Sequence, residues 1–156
     1  MIDTTVAPGE SLEGRIRQFI FETAAATGAV PQLPEIAGEL TVPVADAAAA
    51  LQRLAAARVL ILAPNDGDIW AANPFCAVPS GFRVEVDGKR YWGICAWDAL
   101  GIVAALGAQE ATLTAPCGDC GELLQLHVTG GQLARSESLI HFAVPAREWW
   151  KNIGHA

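Results

Sequence analysis

Two residues that could carry chemistry stand three positions apart in the middle of the chain. Cys95 and Asp98 lie in YWGICAWDALGIVAAL, residues 91–106. A thiol is a soft metal ligand, and a carboxylate beside it can accept the thiol proton and give it back. In a helical turn, residues at i and i+3 are neighbours on one face. The pair therefore predicts a soft-metal or proton-transfer site, with one alternative: a buried cysteine beside a carboxylate that the helix dipole favours.

The residues that follow Cys95 have the spacing of a helix with one buried face. Apolar residues recur there at intervals of four and three: Ala96, Leu100, Val103 and Leu106. This period predicts a helix over residues 97–106 that ends at Gly107. Just before it, residues 82–86 and 89–94 predict a β-hairpin around an Asp-Gly turn. Cys95 is therefore expected where a strand gives way to a helix.

Three further cysteines accompany Cys95. Cys76 lies in NPFCAVPS, and Cys117 and Cys120 form a C-x-x-C motif followed by glycine. A zinc site at this motif would need two more ligands, and a thioredoxin-like role would need a helix after Cys120, where the pattern predicts a strand. Two small thiols in a hairpin remain the alternative. The candidates for the two further zinc ligands are Cys76, Cys95, His127 and His141, and none of them forms a second C-x-x-C motif.

Composition narrows the class of protein. The chain has 156 residues, of which 52% are hydrophobic and 17% charged, and its net charge is -7. It is therefore globular, and its charge disfavours a phosphate-binding surface, so no nucleic-acid partner is expected. No apolar run approaches the ~20 residues of a membrane span, and the N-terminus lacks a secretory signal. We expect a cytoplasmic protein with reduced thiols.

The first half of the chain predicts three helices followed by a hairpin. The helices are expected over residues 12–26, 33–40 and 43–57, and the strands over residues 59–62 and 68–72. This order is typical of a winged helix. Because the third helix offers only Arg53 and Arg58 to phosphates, a scaffold role is favoured over DNA binding.

The connector NPFCAVPS, residues 73–80, marks a boundary between modules at residues 1–72 and 73–156. Beyond the central helix, strands are expected over residues 111–114, 123–129 and 139–144, and a last helical turn from Pro145. The predicted fold class is α+β. A winged-helix-like three-helix module is followed by a small mixed or antiparallel β-sheet domain with a central helix.

Taken in order, these motifs resemble the organomercurial (alkylmercury) lyase family. The resemblance runs from about Arg15 to the last residues and is carried by NPFCAVPS, YWGICAWDALGI, APCGDCGELLQL and HFAVPAREWW, with CAWD the most specific part. It implies an alkylmercury lyase-like fold and protonolysis of a carbon–mercury bond, giving a hydrocarbon and mercuric ion without a separate cofactor. It also implies Cys95 as the first catalytic cysteine, Asp98 as the catalytic aspartate and Cys117 as a structural cysteine.

The family chemistry suits these residue types. Mercury is soft, so a thiolate is its natural ligand, and Asp98 would take the thiol proton and deliver it to the departing carbon. For this the carboxyl needs a raised pKa, which an apolar pocket around Trp97, Trp92 and Phe75 would supply. The expected partners are a small organomercurial or soft metal ion and small thiols.

One family feature has no counterpart in the sequence. The family's second catalytic cysteine follows the segment that here reads REWWKNIGHA, and no cysteine occurs after Cys120. Either the chain is naturally short, or it stops early, or it does something else, and Cys76 or Cys120 would substitute if folded near Cys95. One alternative to a lyase is therefore a family member that binds a soft metal (mercury, copper or zinc) without cleavage, through Cys95 with Cys76, Cys117 or Cys120. The other is a fold relative with unrelated chemistry.

Overall fold

The computed structural model describes residues 11–142 and 144–151, which form helices and strands in both halves of the chain. In chain order these are α1 (Leu12–Thr27), α2 (Leu33–Glu39), α3 (Val44–Ala56), β1 (Ile61–Leu62), β2 (Ile69–Ala72), β3 (Phe75–Cys76), β4 (Phe82–Val86), β5 (Lys89–Gly93), α4 (Ala96–Leu106), β6 (Glu110–Pro116), β7 (Leu123–Thr129), β8 (Gln132–Leu133) and a 3-10 helix (Ala146–Lys151). Helices combined with antiparallel sheets confirm the predicted α+β class. None of the described helices has the length and apolar character needed to cross a membrane.

The first helix has the cap and the stop residue that its sequence predicts, and it runs one residue beyond the expected range of 12–26. Ser11 caps α1 by accepting a hydrogen bond from the backbone amide of Gly14 at 3.0 Å, and Gly28 ends it with φ 80°. The end of α1 is also fastened to the second half of the chain. The hydroxyl of Tyr91, on β5, donates to the carbonyl of Ala25 at 2.9 Å. This contact holds the helical half against the sheet that contains β5.

Helices α1 to α3 are followed by a small antiparallel sheet of order β1-β2-β3. The element order is the one predicted, while the winged-helix description itself stays a prediction. The connector over residues 73–80 contains β3, in which Cys76 pairs with Ala71 of β2. Strand pairing thus crosses the proposed boundary at residue 72, and the division into two modules stays a prediction.

The larger sheet has the order β5-β4-β6-β7-β8, with antiparallel neighbours throughout. Val84 of β4 pairs with Tyr91 on one side and Leu113 on the other, and all three are buried on the same face. Helix α4 covers this face through Ile102 and Val103. One continuous hydrophobic core joins this layer to α1, α2 and α3. Cys95 and Asp98 therefore lie where the larger sheet, at the end of β5, meets the start of α4.

Two sequence predictions near the C-terminus meet different outcomes. A strand over residues 139–144 is wrong for the residues described there, since residues 139–142 and 144 have no strand structure and Leu139 is 93% exposed. Among the described residues the last strand is instead β8, which follows the Gly130-Gly131 turn and pairs with the end of β7. The helical turn expected from Pro145 is present as the 3-10 helix.

Candidate active site

Cys95 and Asp98 occupy matched positions at the start of α4. Cys95 is the N-cap residue, with extended backbone (φ -142°, ψ 179°), and Asp98 is the third residue of the helix. At an N-cap, the side chain faces the first free amides of the helix, and a carboxylate at the third position reaches back towards the N-cap amide. The strand-to-helix transition predicted from the sequence thus aims both side chains at the same small volume.

The structure brings the thiol and the carboxylate together. The Sγ atom of Cys95 donates to Oδ2 of Asp98 at 3.7 Å. Asp98 is only 7% exposed, whereas Cys95 is half-buried and so reachable from solvent. Contact between the two side chains is what the i, i+3 spacing predicts, and their catalytic roles stay a prediction.

Burial controls the acidity of both groups. Burial raises the pKa of Asp98. Hydrogen bonds to the carboxylate act in the opposite direction but do not outweigh burial; their donors are the Asn73 side chain, the amides of Ile94 and Cys95, and the Cys95 thiol. Burial likewise raises the pKa of Cys95, although the amides of Asp98 and Trp97 at the helix N-terminus lower it. A raised thiol pKa keeps Cys95 protonated at rest. A raised carboxyl pKa makes Asp98 a better proton acceptor than an exposed aspartate.

Asn73 is a further hydrogen-bond partner of the Asp98 carboxylate. It was not identified as a site residue from the sequence. Its Nδ2 atom donates to Oδ1 of Asp98 at 3.3 Å, which leaves Oδ2 for the thiol. The next residue, Pro74, packs so closely on α4 that a Cβ at Gly101 would lie 3.1 Å from the Pro74 Cβ. The only sequence signal was the position of Asn73 in the connector that also supplies Cys76.

The apolar surroundings of Asp98 differ from the expected aromatic pocket. Phe75 is buried, but Trp97 is 59% exposed and lies against Phe142, with ring centroids 6.4 Å apart. The carboxyl is buried mainly because the first turn of α4 lies directly on β5: a Cβ at Gly93 would be 3.0 Å from the Asp98 Cβ. Trp97 therefore does not enclose Asp98 as the sequence suggested.

Trp97 instead borders an open apolar cavity of about 460 Å³. Its lining consists of aromatic and aliphatic side chains: Trp97, Phe142, Val144, Pro145, Ala146 and Trp149. The Phe142 and Trp149 rings are 5.0 Å apart, so the C-terminal segment supplies most of the wall. Cys95 and Asp98 are not among the lining residues, and Trp97 links the cavity to the thiol: its side chain borders the cavity, while its amide faces the Cys95 sulfur.

The other three cysteines lie in two places. Cys76 is buried, its thiol donates to the Trp70 carbonyl at 3.6 Å, and its pKa is raised by burial and by the charge of Asp98. Cys117 and Cys120 lie in the turn between β6 and β7. All four cysteines are free thiols. Within residues 11–142 and 144–151, no three His, Cys, Asp or Glu side chains are grouped as a metal site, and the metal-ligand roles stay predictions.

Comparison with known proteins decides the family. Residues 75–155, more than half of the chain, match the model of the MerB family, described as alkylmercury lyase. The chain belongs to the alkylmercury lyase family. Its fold is similar to that in the "Crystal structure of the mercury-bound form of MerB2", with a TM-score of 0.63 and 20% identity over 82% of this chain and 60% of that chain. No curated protein sequence matches the chain.

Family membership confirms the resemblance drawn from the motifs. The matched residues include Cys95, Asp98, Cys117 and Cys120. Asn73 lies two residues before the match begins. The chain spans about three-fifths of the length of the mercury-bound MerB2 structure, and at this identity the likeness to that structure shows the fold alone. The protein is thus an organomercurial lyase-like member of the family.

Proposed function

We propose that this protein cleaves the carbon–mercury bond of small organomercurials by protonolysis, with Cys95 as the mercury ligand and Asp98 as the proton carrier. The observation that carries the proposal is the 3.7 Å contact between the Cys95 thiol and the Asp98 carboxylate in a member of the alkylmercury lyase family. A soft-metal ligand with its own proton acceptor, two residues from the Trp97 that borders an apolar cavity, suits a substrate that combines mercury with a hydrocarbon.

The first step exchanges a ligand on mercury. The Cys95 sulfur bonds to the mercury of R–Hg–X, X leaves as an anion, and the thiol proton passes to Asp98. The amides of Trp97 and Asp98, which face the sulfur, stabilise negative charge there while the proton leaves. The contact at Oδ2 gives the proton a direct path, and Asn73 on Oδ1 holds the carboxyl in that orientation.

The second step returns the proton. Asp98, now neutral, protonates the carbon as the carbon–mercury bond breaks, so that R–H leaves and mercuric ion stays on Cys95. A buried carboxyl has a raised pKa and holds its proton until the carbon takes it. Mercuric ion is stable with two thiolates, so two small thiols displace the Cys95 sulfur and carry mercuric ion away as a dithiolate. Of the two protons that these thiols give up, one restores the Cys95 thiol and the other goes to solvent, and Asp98 is ionised as it was at the start.

The surroundings fit this substrate class. The apolar cavity beside Trp97 would take the organic group, since burying a hydrocarbon there removes apolar surface from water. We further propose that the protein works in the cytoplasm, where small thiols are plentiful, without a separate cofactor and without binding nucleic acid.

The test is a single-turnover assay with an aryl- or alkylmercury compound in excess small thiol, following release of the hydrocarbon. Cys95→Ser should abolish release. Asp98→Asn should also abolish release, but in a separate binding measurement without added thiol it should still take up mercury at Cys95. The matched control is Asp46→Asn, because Asp46 is also the third residue of its helix but is exposed and has no thiol at the N-cap. It should react at the wild-type rate.

Two results would separate the alternatives. Wild-type protein that holds one mercury per chain at Cys95 but releases no hydrocarbon would identify a soft-metal binding protein without lyase activity. Undiminished release from Asp98→Asn would rule out Asp98 as the proton carrier, since an amide cannot take up the thiol proton.

A further inference from the structure

A second pair of thiols lies away from the proposed active site, in the turn between β6 and β7. The turn has the sequence Cys-Gly-Asp-Cys-Gly, residues 117–121. It is closed at both ends by backbone hydrogen bonds, from Gly121 N to Cys117 O at 2.9 Å and from Cys117 N to Glu122 O at 2.7 Å. The first of these closes a single helical turn, which places residues at i and i+3 side by side. Cys117 and Cys120 are therefore neighbours, fixed by the backbone rather than by chance side-chain rotamers.

Both thiols are free and accessible. Cys117 is partly exposed and Cys120 exposed, and neither forms a disulfide. The amides of Asp119 and Cys120 and the Cys120 thiol are hydrogen-bond donors to the Cys117 sulfur, so the two thiols are in contact within the turn. The carboxylate of Asp119 adds negative charge beside them.

The turn and the active site share one end of the larger sheet but use separate thiols. Strand β5 ends at Gly93, two residues before Cys95, and β6 ends at Pro116, next to Cys117. Strand β4 lies between β5 and β6, so the two backbones are about 10 Å apart, or two strand spacings. Cys117 is therefore a much closer partner for Cys120 than for Cys95.

We propose that Cys117 and Cys120 form a second, self-contained binding site for a thiophilic cation that accepts two ligands, first of all mercuric ion. Binding forms two sulfur–mercury bonds, releases one proton from each thiol to solvent and changes no oxidation state. Mercuric ion is satisfied by two thiolates in line, whereas a structural zinc takes four ligands. The site does not depend on the Cys95 reaction, and it would hold mercuric ion while the active site turns over.

Chelation sets the size of the expected effect. Once one thiolate of the turn has bound mercury, the second acts at an effective concentration in the millimolar range, so the pair should bind roughly 10²–10⁴-fold more tightly than either thiol alone. A competing small monothiol at micromolar concentration should therefore strip mercury from a lone cysteine but not from the pair.

The experiment titrates mercuric chloride into full-length protein kept reduced with a phosphine, in the presence of a competing monothiol. Retained mercury is measured by elemental analysis after gel filtration and by the ultraviolet absorption of mercury thiolates. The reference is Cys95→Ser, in which mercury bound at the active-site cysteine is removed. In that background, one equivalent should remain per chain, and Cys117→Ser and Cys120→Ser should each lose it to the same extent as the double variant.

Two outcomes of this titration would overturn the proposed second mercury site. Loss of mercury from Cys95→Ser alone, or retention by Cys120→Ser in that background, would overturn the proposal. Cys120 is exposed, so its serine variant keeps the fold and remains informative even if Cys117→Ser does not fold. The readout uses mercuric ion and no carbon–mercury bond. Failure of the second site is therefore distinguishable from failure of the lyase activity.

Discussion

Replacing Gly93 by alanine tests whether the contact between α4 and β5 positions the proposed catalytic pair, Cys95 and Asp98. Gly93 ends β5 beneath the first turn of α4, and an added Cβ would lie 2.8 Å from the Ala99 amide nitrogen and 3.0 Å from the Asp98 Cβ. Ordinary contacts begin at about 3.4 Å, so the helix start must move away by about 0.6 Å. The backbone of Gly93 is not in the left-handed region, so alanine adds a steric conflict and no strain in φ.

The expected cost has two parts. Overpacking of this kind lowers the free energy of unfolding by about 1–3 kcal/mol, or roughly 2–4 °C in Tm for each kcal/mol in a chain of this size. The same movement shifts Cys95 and Asp98 relative to a bound substrate. A displacement of about 1 Å costs on the order of 10²-fold in rate, so 0.6 Å should slow cleavage by about tenfold or more.

The assay compares Tm and single-turnover hydrocarbon release in Gly93→Ala, Gly38→Ala and wild type. Gly38 is the matched control, because it lies in α2 and has no atom within 4 Å of an added Cβ. Alanine there should stabilise the protein by up to about 1 kcal/mol and leave the rate unchanged. Wild-type stability and rate in Gly93→Ala would refute the idea that close packing on Gly93 sets the site.

Three further predictions concern the same site. Because burial raises the pKa of Asp98 above the ordinary value of 3.8, ionising this carboxyl destabilises the folded protein. The Tm of Asp98→Asn relative to wild type should therefore increase as the pH rises from below 3.8 through the pKa that Asp98 has in the folded protein, and a difference in Tm that stays constant with pH would contradict this. Asn73→Ala removes a hydrogen bond that lowers the pKa of Asp98, so the acid limb of the cleavage pH profile should move to higher pH, while an unmoved limb would deny Asn73 a positioning role. Trp97→Ala opens the apolar cavity, so it should raise KM for an arylmercury substrate by roughly tenfold and change KM for a methylmercury substrate little; equal effects would place the organic group elsewhere.

Local chemistry made several elements predictable from the sequence. The Ser11 cap and the Gly28 stop gave the bounds of α1, since each satisfies backbone groups at a helix end. The Asp87-Gly88 turn fixed the β4–β5 hairpin because both residues adopt positive φ, as a type I′ turn requires. The contact between Cys95 and Asp98 was also predictable from local structure. A side chain at the N-cap and one at the third position of a helix lie on the same side of the first turn, so the backbone brings them together.

Features that depend on tertiary packing were not predictable. Asn73 meets Asp98 across 25 positions of sequence, and no periodicity links them. Trp97 was expected to enclose the carboxyl, but an aromatic residue at the second position of a helix can face either the core or a neighbouring segment. Here it faces Phe142. The strand expected over residues 139–144 failed because an apolar stretch predicts a strand only where a sheet edge receives it.

The position of Cys95 at a helix N-cap explains why the proposed chemistry needs Asp98. Helix amides favour the thiolate, but burial and the charge of Asp98 outweigh them and keep the thiol protonated at rest. When mercury bonds to the sulfur, the charge on sulfur is neutralised, and burial no longer opposes loss of the proton. The nearest acceptor is a carboxylate whose own burial favours its protonated form. In the proposed mechanism the proton therefore moves only when a soft cation arrives, and Asp98 then holds it next to the carbon that must receive it.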